Sequence, residues 1–532
     1  LLLGLVFPFC NSIIYPMKCV IPAAGRGVRF NELGRHYPKC VLPYKDVPII
    51  AHNIKLALEA GASEVCVVVG HRGEKIREIV AMYFPDDERI TFEEYQMHDG
   101  KDGPAMSIWC GVPFGISEPL LVLLSDIVIK ELPPLDESWI STQTVPDWER
   151  WCMAEVVSGQ IVEFHDKPVD RPPTDQAVSG VYYFKNGAVF ENCLKMAIDD
   201  NTEGEVQISH AMNHYMEDDT ISTRNLEIVD FGTLHEYLEN RGISNSREFN
   251  SVFPKGNSLI HKQSEKNPEK IHIEVNWYEN LPTPIKIMTP RVFGTNLYDE
   301  LPGYSMERID SPTARELFLY LESEPSFWTD FYSRLFDTVE QFSEYKKPGK
   351  STFFSNLDKK NRERVAAISD DLRDNDAIDF CDAFDEMQER GDFDIFQDSL
   401  FHGDLCFSNI FYHPGSKHIK LIDPRGDAYG NVLYDLAKIT HSAYFPYDYI
   451  DAELYLKREG ETIIFDAGKH YCRKAYKKLF IERFGEDTWQ KTLTIVASLF
   501  LTMIPLHSHN RNNQELFYDT FRKASSESGL LG

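Results

Sequence analysis

The sequence MKCVIPAAGRGVRF, at residues 17–30, places an apolar strand directly before a glycine-rich turn. A helical pattern at residues 49–60 and a second apolar strand at 64–69 follow, which is the β–α–β order of an α/β sheet. Further apolar segments typical of buried strands lie at 120–124, 151–157 and 181–184. The pattern predicts a Rossmann-like α/β domain over residues 17–243.

The glycine-rich turn has the residues expected of a triphosphate-binding loop. Gly25 and Gly27 allow backbone N–H groups to approach phosphate oxygens without a clash with a Cβ atom. Arg29 and Lys39 can offset charge on the attacked phosphoryl group and on departing pyrophosphate, and we predict that both are catalytic. A dinucleotide-binding loop would require a third glycine at the position of Phe30. The predicted nucleotide-binding residues of the turn are Ala23, Ala24, Gly25 and Gly27.

Two aspartates near strand ends predict a magnesium site. Asp126 follows the apolar segment at 120–124, and Asp230 lies in the sequence VDFGT at 229–233. Either aspartate alone would suit a helix cap or a turn. Together with the triphosphate loop, they supply the few protein oxygens that Mg²⁺ takes when phosphates and water complete its coordination shell.

These motifs resemble the sugar-phosphate nucleotidylyltransferase family, whose signature is Ala-Ala-Gly-x-Gly-x-Arg followed by Pro-Lys, here Pro38-Lys39. The resemblance covers residues 17–241 and implies in-line attack of an acceptor phosphate on the α-phosphorus of an NTP. The chain departs from the family pattern at Ser125, where the family has glycine. The implied roles are base and ribose contacts for Gly103 and Ala105, acceptor-phosphate binding for Lys167 and Gly180, and metal binding for Asp126 and Asp230.

A second motif, LFHGDLCFSNI at residues 400–410, is followed by IKLIDPR at 419–425. Kinase-type phosphoryl transfer uses an aspartate that orients or deprotonates the substrate hydroxyl, an asparagine five residues later and an aspartate after a short strand. We therefore predict that Asp404 is catalytic and that Asn409 and Asp423 hold Mg²⁺.

The His-Gly-Asp form of this motif resembles the aminoglycoside phosphotransferase and choline kinase family. The resemblance implies a bilobal, protein-kinase-like (α+β) domain over residues 246–525, with an N-lobe near 246–308 and a C-lobe near 309–525. It implies that Lys262, paired with Glu274 on a helix, holds the ATP phosphates. It also implies that Glu307 lies in the segment that holds adenine.

A kinase produces a phosphomonoester and a nucleotidylyltransferase consumes one, so the two motifs together predict consecutive reactions. We predict a bifunctional enzyme that phosphorylates a small alcohol, amino alcohol or sugar with ATP and then forms NDP-R, for decoration of cell-surface polysaccharide or lipid. The favoured form is a choline kinase joined to a phosphocholine cytidylyltransferase, with CTP as the second nucleotide and dTTP, UTP or GTP as alternatives. A sugar kinase joined to a sugar-1-phosphate nucleotidylyltransferase is the second form. The third is one active domain with a ligand-sensing regulatory domain.

Aromatic residues at 444–449 fit two interpretations. The sequence YFPYDY places four aromatic side chains beside an aspartate, and such a group can form a cage for a quaternary ammonium through cation–π contacts. The same pattern is typical of core packing. The sequence leaves both interpretations open.

The composition bounds the partners and the location. The 532-residue chain has a net charge of -28, which disfavours nucleic acid as a partner and leaves small phosphorylated ligands. Its ten cysteines have no zinc-type spacing and are expected to be reduced. Residues 1–16 are apolar but lack the basic start of a signal peptide and are too short to span a bilayer, so we expect Met17 to begin the natural protein. We expect a cytoplasmic location and no membrane insertion, and the sequence leaves a homo-oligomer open.

Overall fold

The computed structural model comprises two compact units, residues 1–241 and 242–532. Each unit has its own main sheet. The predicted domain boundary, between residues 243 and 246, lies next to this division. The residues that the structure describes are 16–27, 38–45, 47–96, 101–146, 148–201, 204–233, 236–237, 240, 251–255, 258–265, 267–296, 301–320, 325–349, 351–369, 372–458, 461–464 and 470–530.

The described part of the first unit contains a mixed nine-stranded sheet and two short antiparallel pairs of strands. In chain order the strands are β1 (Met17–Pro22), β2 (Pro43–Tyr44), β3 (Val47–Pro48), β4 (Ala62–Val69), β5 (Ile90–Glu94), β6 (Leu120–Leu123), β7 (Ile127–Ile129), β8 (Trp139–Thr144), β9 (Cys152–Val157), β10 (Gln160–Asp166), β11 (Gln176–Phe184), β12 (Ser222–Asn225) and β13 (Ile228–Asp230). The large sheet has the order β5-β4-β1-β6-β11-β8-β12-β10-β9, and the short pairs are β2–β3 and β7–β13.

Parallel pairing brings two predicted site segments to one edge of this sheet. β1 pairs in parallel with both β4 and β6, so that Val20 lies opposite Cys66 on one side and Val122 on the other. Because neighbouring parallel strands end at the same edge, the glycine turn after β1 lies near Asp126, which follows β6. This edge therefore collects the predicted phosphate loop and a predicted metal ligand.

Helices pack their apolar faces on the sheet of the first unit. The core joins strand residues Val20 and Val122 with Met106 and Phe190 from helices, and Phe184 of β11 stacks on Phe190 with ring centroids 3.6 Å apart. The α/β architecture predicted for the first half of the chain is confirmed. The helices described here are α1 (Ile49–Glu59), α2 (Gly73–Tyr83), α3 (Pro104–Gly111), α4 (Gly187–Asp200) and α5 (Ile208–Asp218).

The second unit opens with a small antiparallel sheet. Its described strands are β14 (Ser251–Lys255), β15 (Leu259–Gln263), β16 (Val292–Thr295), β17 (Gly303–Glu307), β18 (Ser399–Leu400), β19 (Ile410–Tyr412), β20 (Ile419–Leu421), β21 (Tyr429–Gly430), β22 (Tyr455–Arg458) and β23 (Glu461–Ile464). The first four form one sheet in the order β14-β15-β17-β16, and the others form the pairs β18–β21, β19–β20 and β22–β23.

Beyond this sheet the second unit is mostly helical. Its described helices are α6 (Pro268–Asn280), α7 (Thr283–Lys286), α8 (Ala314–Tyr320), α9 (Pro325–Glu344), α10 (Phe353–Ala366), α11 (Asn375–Arg390), α12 (Val432–Ala443), α13 (Tyr447–Asp451), α14 (His470–Phe484), α15 (Glu486–Met503) and α16 (Arg511–Glu527). α6 begins after Asn267, whose side chain accepts the Lys270 N–H at 3.3 Å and so caps the helix. The bilobal kinase-like fold stays a prediction.

One helical stretch among the described residues, Glu486–His507, is long and apolar enough to span a membrane. Within its most apolar window, 72% of the residues are buried inside the unit. Its polar residues Thr492 and Ser498 are also buried, and it packs along α16. These are features of a core helix.

Candidate functional site

The glycine turn of the first unit begins where β1 leaves the sheet. The Ala23 N–H donates to the Val68 carbonyl at 2.8 Å, which fixes the start of the turn against β4. Gly25 is exposed, and a Cβ atom there would meet no protein atom within 4 Å. The turn therefore has the open backbone that a phosphate loop requires. Arg29, the predicted catalytic arginine, lies outside the described residues.

Lys39, Asp126 and Asp230 come together at this edge of the sheet. The Lys39 ammonium lies 2.5 Å from a carboxylate oxygen of Asp126. Strand pairing places Asp230 opposite Ile127, and the Phe231 N–H donates to the Asp126 carbonyl at 2.9 Å. The fold thus brings the predicted catalytic lysine and both predicted metal-binding aspartates together from three distant segments of the chain.

The electrostatics of Asp230 suit a cation site. Burial raises the pKa of its carboxyl to about 6, and the charges of Asp126 and Glu236 add to the rise. One of its oxygens accepts the Gly232 N–H at 2.9 Å, which favours the charged form. Two neighbouring carboxylates of this kind are stabilised by a hard divalent cation. Asp126 and Asp230 therefore fit Mg²⁺ in the type and number of their oxygen donors.

Gly103 precedes α3 at a position where a side chain does not fit. Its φ of +115° is unfavourable for other residues, and a Cβ atom would lie 2.8 Å from both the N and O atoms of Val206. The Ala105 N–H donates to the Val206 carbonyl at 3.1 Å, and the Ala105 side chain is fully buried. The backbone N–H of Ala105 is therefore already paired and its side chain is covered, so neither group is available for the predicted nucleotide contact.

The residues predicted to bind the acceptor phosphate lie on two different strand segments. Gly180, in β11 with φ +95°, accepts the Leu124 N–H at 2.9 Å and so lies close in the fold to Asp126. Lys167 follows β10 and is exposed. Its ammonium forms no ion pair with any residue that the structure describes, which leaves it accessible to an anionic ligand.

In the second unit, Lys262 joins two carboxylates. Its ammonium, on β15, lies 2.8 Å from Glu274 of α6 and 2.9 Å from Asp423. Burial lowers the pKa of Lys262, but the charges of Asp423 and Glu274 outweigh this, so the pKa lies above its ordinary value. The Tyr304 hydroxyl donates to Glu274 at 3.0 Å. Three residues predicted from separate motifs therefore form one cluster, in which Lys262 and Glu274 are buried and the Asp423 side chain is partly exposed.

Asn409 links the two aspartates of the second motif. Its side-chain amide donates to the Asp404 carbonyl at 2.9 Å, and its backbone carbonyl accepts the Ile422 N–H at 3.0 Å. Asp423, the next residue, has φ +54°, a left-handed conformation that costs on the order of 1–3 kcal/mol and is typical of functional sites. The predicted catalytic residue and both predicted metal ligands are thus neighbours.

A buried aspartate holds the loop that carries Asp404. Asp435, on α12, accepts the N–H groups of His402 at 2.8 Å and Gly403 at 2.7 Å. The Asp404 N–H donates to Nδ1 of His402 at 3.3 Å. Burial lowers the pKa of His402 to about 4. His402 is therefore neutral and has a structural place in the loop.

Sequence reasoning missed Lys438, whose ammonium lies 2.9 Å from the Asp404 carboxylate. Burial lowers the pKa of Lys438, but the charge of Asp404 outweighs this and the pKa lies above its ordinary value. Lys438 follows Asp435 by three residues on α12, so the two side chains share one helix face. The three-residue spacing of Asp435 and Lys438 in the sequence YDLAK could have indicated that both side chains face the Asp404 loop.

Glu307 makes contacts with Arg291 and Lys420. Its N–H donates to the Arg291 carbonyl at 2.8 Å. Its carboxylate accepts the Arg291 N–H at 3.2 Å and lies 3.4 Å from the Lys420 ammonium. A contact with adenine therefore does not use the N–H of Glu307, because Arg291 already accepts it.

Comparison with known proteins bears on the first unit. Residues 18–243 match the family described as Nucleotidyl transferase. The first unit is thus a nucleotidyl transferase domain similar to sugar-phosphate nucleotidylyltransferases.

The relatives cover the chain in part. The low-salt glycan biosynthesis nucleotidyltransferase Agl11 of Haloferax volcanii is 28% identical over 213 residues, which are 38% of this chain and 58% of that protein. A UTP–glucose-1-phosphate uridylyltransferase of Bacillus subtilis is 28% identical over 233 residues, 37% of this chain and 78% of that protein. A crystal structure of UDP-glucose pyrophosphorylase with UDP-glucose is 20% identical with a TM-score of 0.36, covering 42% of this chain and 97% of the other. The chain thus spans little more than half of the archaeal relative.

Proposed function

We propose that the chain catalyses two consecutive reactions. The second unit phosphorylates a small alcohol or sugar with ATP, and the first unit transfers a nucleotidyl group from an NTP to the resulting phosphomonoester. The family match and the cluster of Lys39, Asp126 and Asp230 support the nucleotidyl transfer. The pairing of the buried Lys262 with Glu274 and with the partly exposed Asp423 carries the proposal of phosphoryl transfer, because kinase-type sites hold a phosphate-binding lysine in this way.

In the first unit, a phosphate oxygen of the acceptor attacks the α-phosphorus of the NTP, and the bond to pyrophosphate breaks. Lys39 offsets the charge that develops on the phosphates. The exposed backbone at Gly25 receives phosphate oxygens. Asp126 and Asp230 would hold Mg²⁺, which supplies neutralising charge to the triphosphate.

In the second unit, the oxygen of the acceptor hydroxyl bonds to the γ-phosphorus of ATP, and the bond from this phosphorus to ADP breaks. Asp404 accepts the proton that the hydroxyl loses. The Lys438 ammonium lies 2.9 Å from the Asp404 carboxylate and offsets its negative charge. Lys262 binds ATP phosphates. Asn409 and Asp423 would hold Mg²⁺ there.

A sugar 1-phosphate is the proposed acceptor of the first unit. The Bacillus relative is named for UTP and glucose 1-phosphate, and the archaeal relative is named for glycan biosynthesis. The choline form is less favoured, because Phe445 and Tyr449, two of the cage candidates, are 1% exposed and pack against Phe500 and Phe318.

The test is mass spectrometry of the full chain incubated with Mg²⁺, ATP, each NTP and a panel of sugars and alcohols. We expect Asp404→Asn to lower phosphomonoester formation by about 100-fold or more while an added sugar 1-phosphate still gives NDP-sugar. With the Asp126→Asn variant, the phosphomonoester should accumulate instead. The exposed aspartates Asp170 and Asp427 provide control substitutions to asparagine.

A regulatory role for the second unit would give a different result. An unphosphorylated compound would then change the rate of pyrophosphate release without being phosphorylated itself. That result, or full phosphorylation by Asp404→Asn, contradicts the two-reaction proposal.

A further inference from the structure

Basic side chains gather beside Asp404 in the second unit. Lys360 and Arg364 lie on α10, Arg425 follows β20, and Lys438 lies on α12; we call these four residues the basic cluster. Their charges act on one another. The pKa of Lys360 is lowered to about 8, first by burial and then by Arg425, Arg364 and Lys438, with Asp404 as the opposing negative charge.

Two members of the basic cluster have partners among the described residues. Lys438 pairs with Asp404, and Arg364 donates to the Thr502 carbonyl at 2.9 Å. No hydrogen bond or ion pair joins the Lys360 ammonium to another residue in the described ranges. Nη1 of Arg425 is buried, also with no hydrogen-bond partner within those ranges. Buried donors of this kind are stabilised by an oxyanion.

Arg425 is firmly placed. Its guanidinium lies over the rings of Phe353 and Tyr434, at 5.6 and 5.4 Å from their centroids. Its backbone N–H donates to the His402 carbonyl at 2.9 Å, which ties it to the loop that carries Asp404. A stacked guanidinium is a preorganised donor for a carboxylate or a phosphate.

The basic cluster is distinct from the cations that the proposed function assigns to ATP. The charges that act on Asp423 are those of Lys262, Lys270 and Asp404. Those that act on Lys360 come from the basic cluster and Asp404. Lys438 pairs with the Asp404 carboxylate and Arg425 is tied to the Asp404 loop through His402, whereas Lys262 pairs with Asp423. With ATP assigned to Lys262 and Asp423, we place the acceptor on the Asp404 side, next to the basic cluster.

We propose that the acceptor of the second unit is an alcohol that carries an oxyanion, a carboxylate or a phosphate, which the basic cluster binds; this inference rests on the proposed phosphoryl transfer. The rest of the chain has a large excess of negative charge, so the basic cluster is a local attraction for anions in an otherwise repelling field. A cationic amino alcohol would meet like charges there.

The experiment compares matched acceptors with the full chain, Mg²⁺ and ATP. The panel is glycerol, glycerate, glycerol 3-phosphate and ethanolamine, with glucose, glucuronate, glucose 6-phosphate and glucosamine as a second series. We expect kcat/KM for the anionic members to exceed that of the neutral member by about 10- to 100-fold. The carboxylate and phosphate members identify which oxyanion is used. Preference for neutral or cationic members overturns the inference.

Variants separate the acceptor from the nucleotide. Lys360→Met should raise KM for the anionic acceptor by about 10-fold or more, and KM for ATP should change much less. Lys360→Arg should retain most of the affinity. Lys359→Met, at the exposed neighbouring residue, is the control. An equal rise in KM for ATP would assign the basic cluster to the nucleotide and overturn the inference.

A binding measurement is independent of phosphoryl transfer. Limited acylation at pH 8 should label Lys360 readily, because its lowered pKa leaves more of the unprotonated amine. Glucuronate or glycerate should protect Lys360 in the wild-type chain without ATP, whereas glucose and ATP alone should not. Protection without phosphorylation of any acceptor would refute the proposed function and support the anion site. Phosphorylation of neutral acceptors without protection by any anion would refute the anion site alone.

Discussion

At the scale of single residues, the pairing of Lys262 has both a catalytic and an energetic consequence. The side chains of Lys262 and Glu274 are buried and face each other at 2.8 Å. Removal of Lys262 leaves the Glu274 carboxylate buried, with the more distant Lys270 ammonium at 3.4 Å as its cationic partner among the described residues. The residue proposed to bind phosphate therefore also contributes to the stability of the second unit.

Lys262→Met should lower phosphoryl transfer by about 100-fold or more, because the site loses its main phosphate-binding cation. It should also lower the free energy of unfolding of the second unit by about 3–5 kcal/mol. Steady-state kinetics of both reactions and urea unfolding measure these effects. Nucleotidyl transfer to an added sugar 1-phosphate should be unchanged.

A paired substitution separates stability from activity. Lys262→Met combined with Glu274→Gln removes the buried charge on both sides, so part of the lost stability should return while phosphoryl transfer stays low. Lys359→Met serves as the surface control. Wild-type phosphoryl transfer in the single variant would exclude Lys262 from phosphate binding.

Asp448, on α13, gives a prediction about pH. Its side chain is fully buried, and burial raises its pKa to about 6 from the ordinary 3.8, with Arg315 acting in the opposite direction. Folding therefore favours protonated Asp448. This contribution to stability is complete below pH 3.8 and is lost as the pH rises through about 6.

Asp448→Asn removes this dependence, because asparagine is neutral at every pH. Relative to wild type, the variant should gain up to about 3 kcal/mol of unfolding free energy between pH 4 and pH 7. Urea unfolding at pH 4.5, 6 and 7.5 measures the difference, with Asp427→Asn as the exposed control. A difference that does not change with pH would refute the raised pKa.

Residues joined by motif spacing were predicted from the sequence, and residues joined by packing were not. Asp404, Asn409 and Asp423 belong to one recognisable pattern. Lys360 and Arg425 meet only because α10 packs next to the loop after β20. No local spacing in the sequence indicates that residues from such distant segments come together, so the sequence did not predict it.

At the scale of elements, buried parallel strands were the easiest to predict. β1, β4 and β6 are mostly apolar because they are largely buried in the sheet, and the predicted bounds of β4 (64–69) and β6 (120–124) lie within two residues of the observed ones. β8, with the sequence WISTQT, was missed because it is polar. Its Ser141 and Thr142 are buried but satisfied across the sheet by hydroxyl groups of Ser179 and Thr223, at 2.9 and 2.5 Å.

The start of α3 gives a test at this scale. Gly103→Ala should lower the unfolding free energy of the first unit by about 2–4 kcal/mol, since it adds both φ strain and a clash with the Val206 backbone. Gly115→Ala is the matched control, because Gly115 has φ +71° but open space around it. Thermal unfolding should show about 1 kcal/mol or less for the control. Equal effects would mean that the close contact with Val206 adds nothing.

At the scale of the whole molecule, the sequence predicted the first unit more securely than the second. Several separate sequence signals indicate the fold of the first unit: the strand order, the glycine turn and the two aspartates near strand ends. The second unit depends on a few short motifs inside a long helical region, and helices of similar length suit many architectures. The net charge of -28 is summed over the whole chain, so it does not reveal a local group of cations such as the basic cluster.

The three attachments of the Asp404 loop to α12 have a further consequence. Two backbone amides and one carboxylate of the loop are bound to side chains of a single helix, those of Asp435 and Lys438. We therefore expect the His402 and Gly403 amides to exchange as slowly as those of the helix, and the loop to move together with it. In the proposed phosphoryl transfer, the opening that admits substrate would then come from elements with looser attachment, and Asp404 would be the fixed reference against which they close.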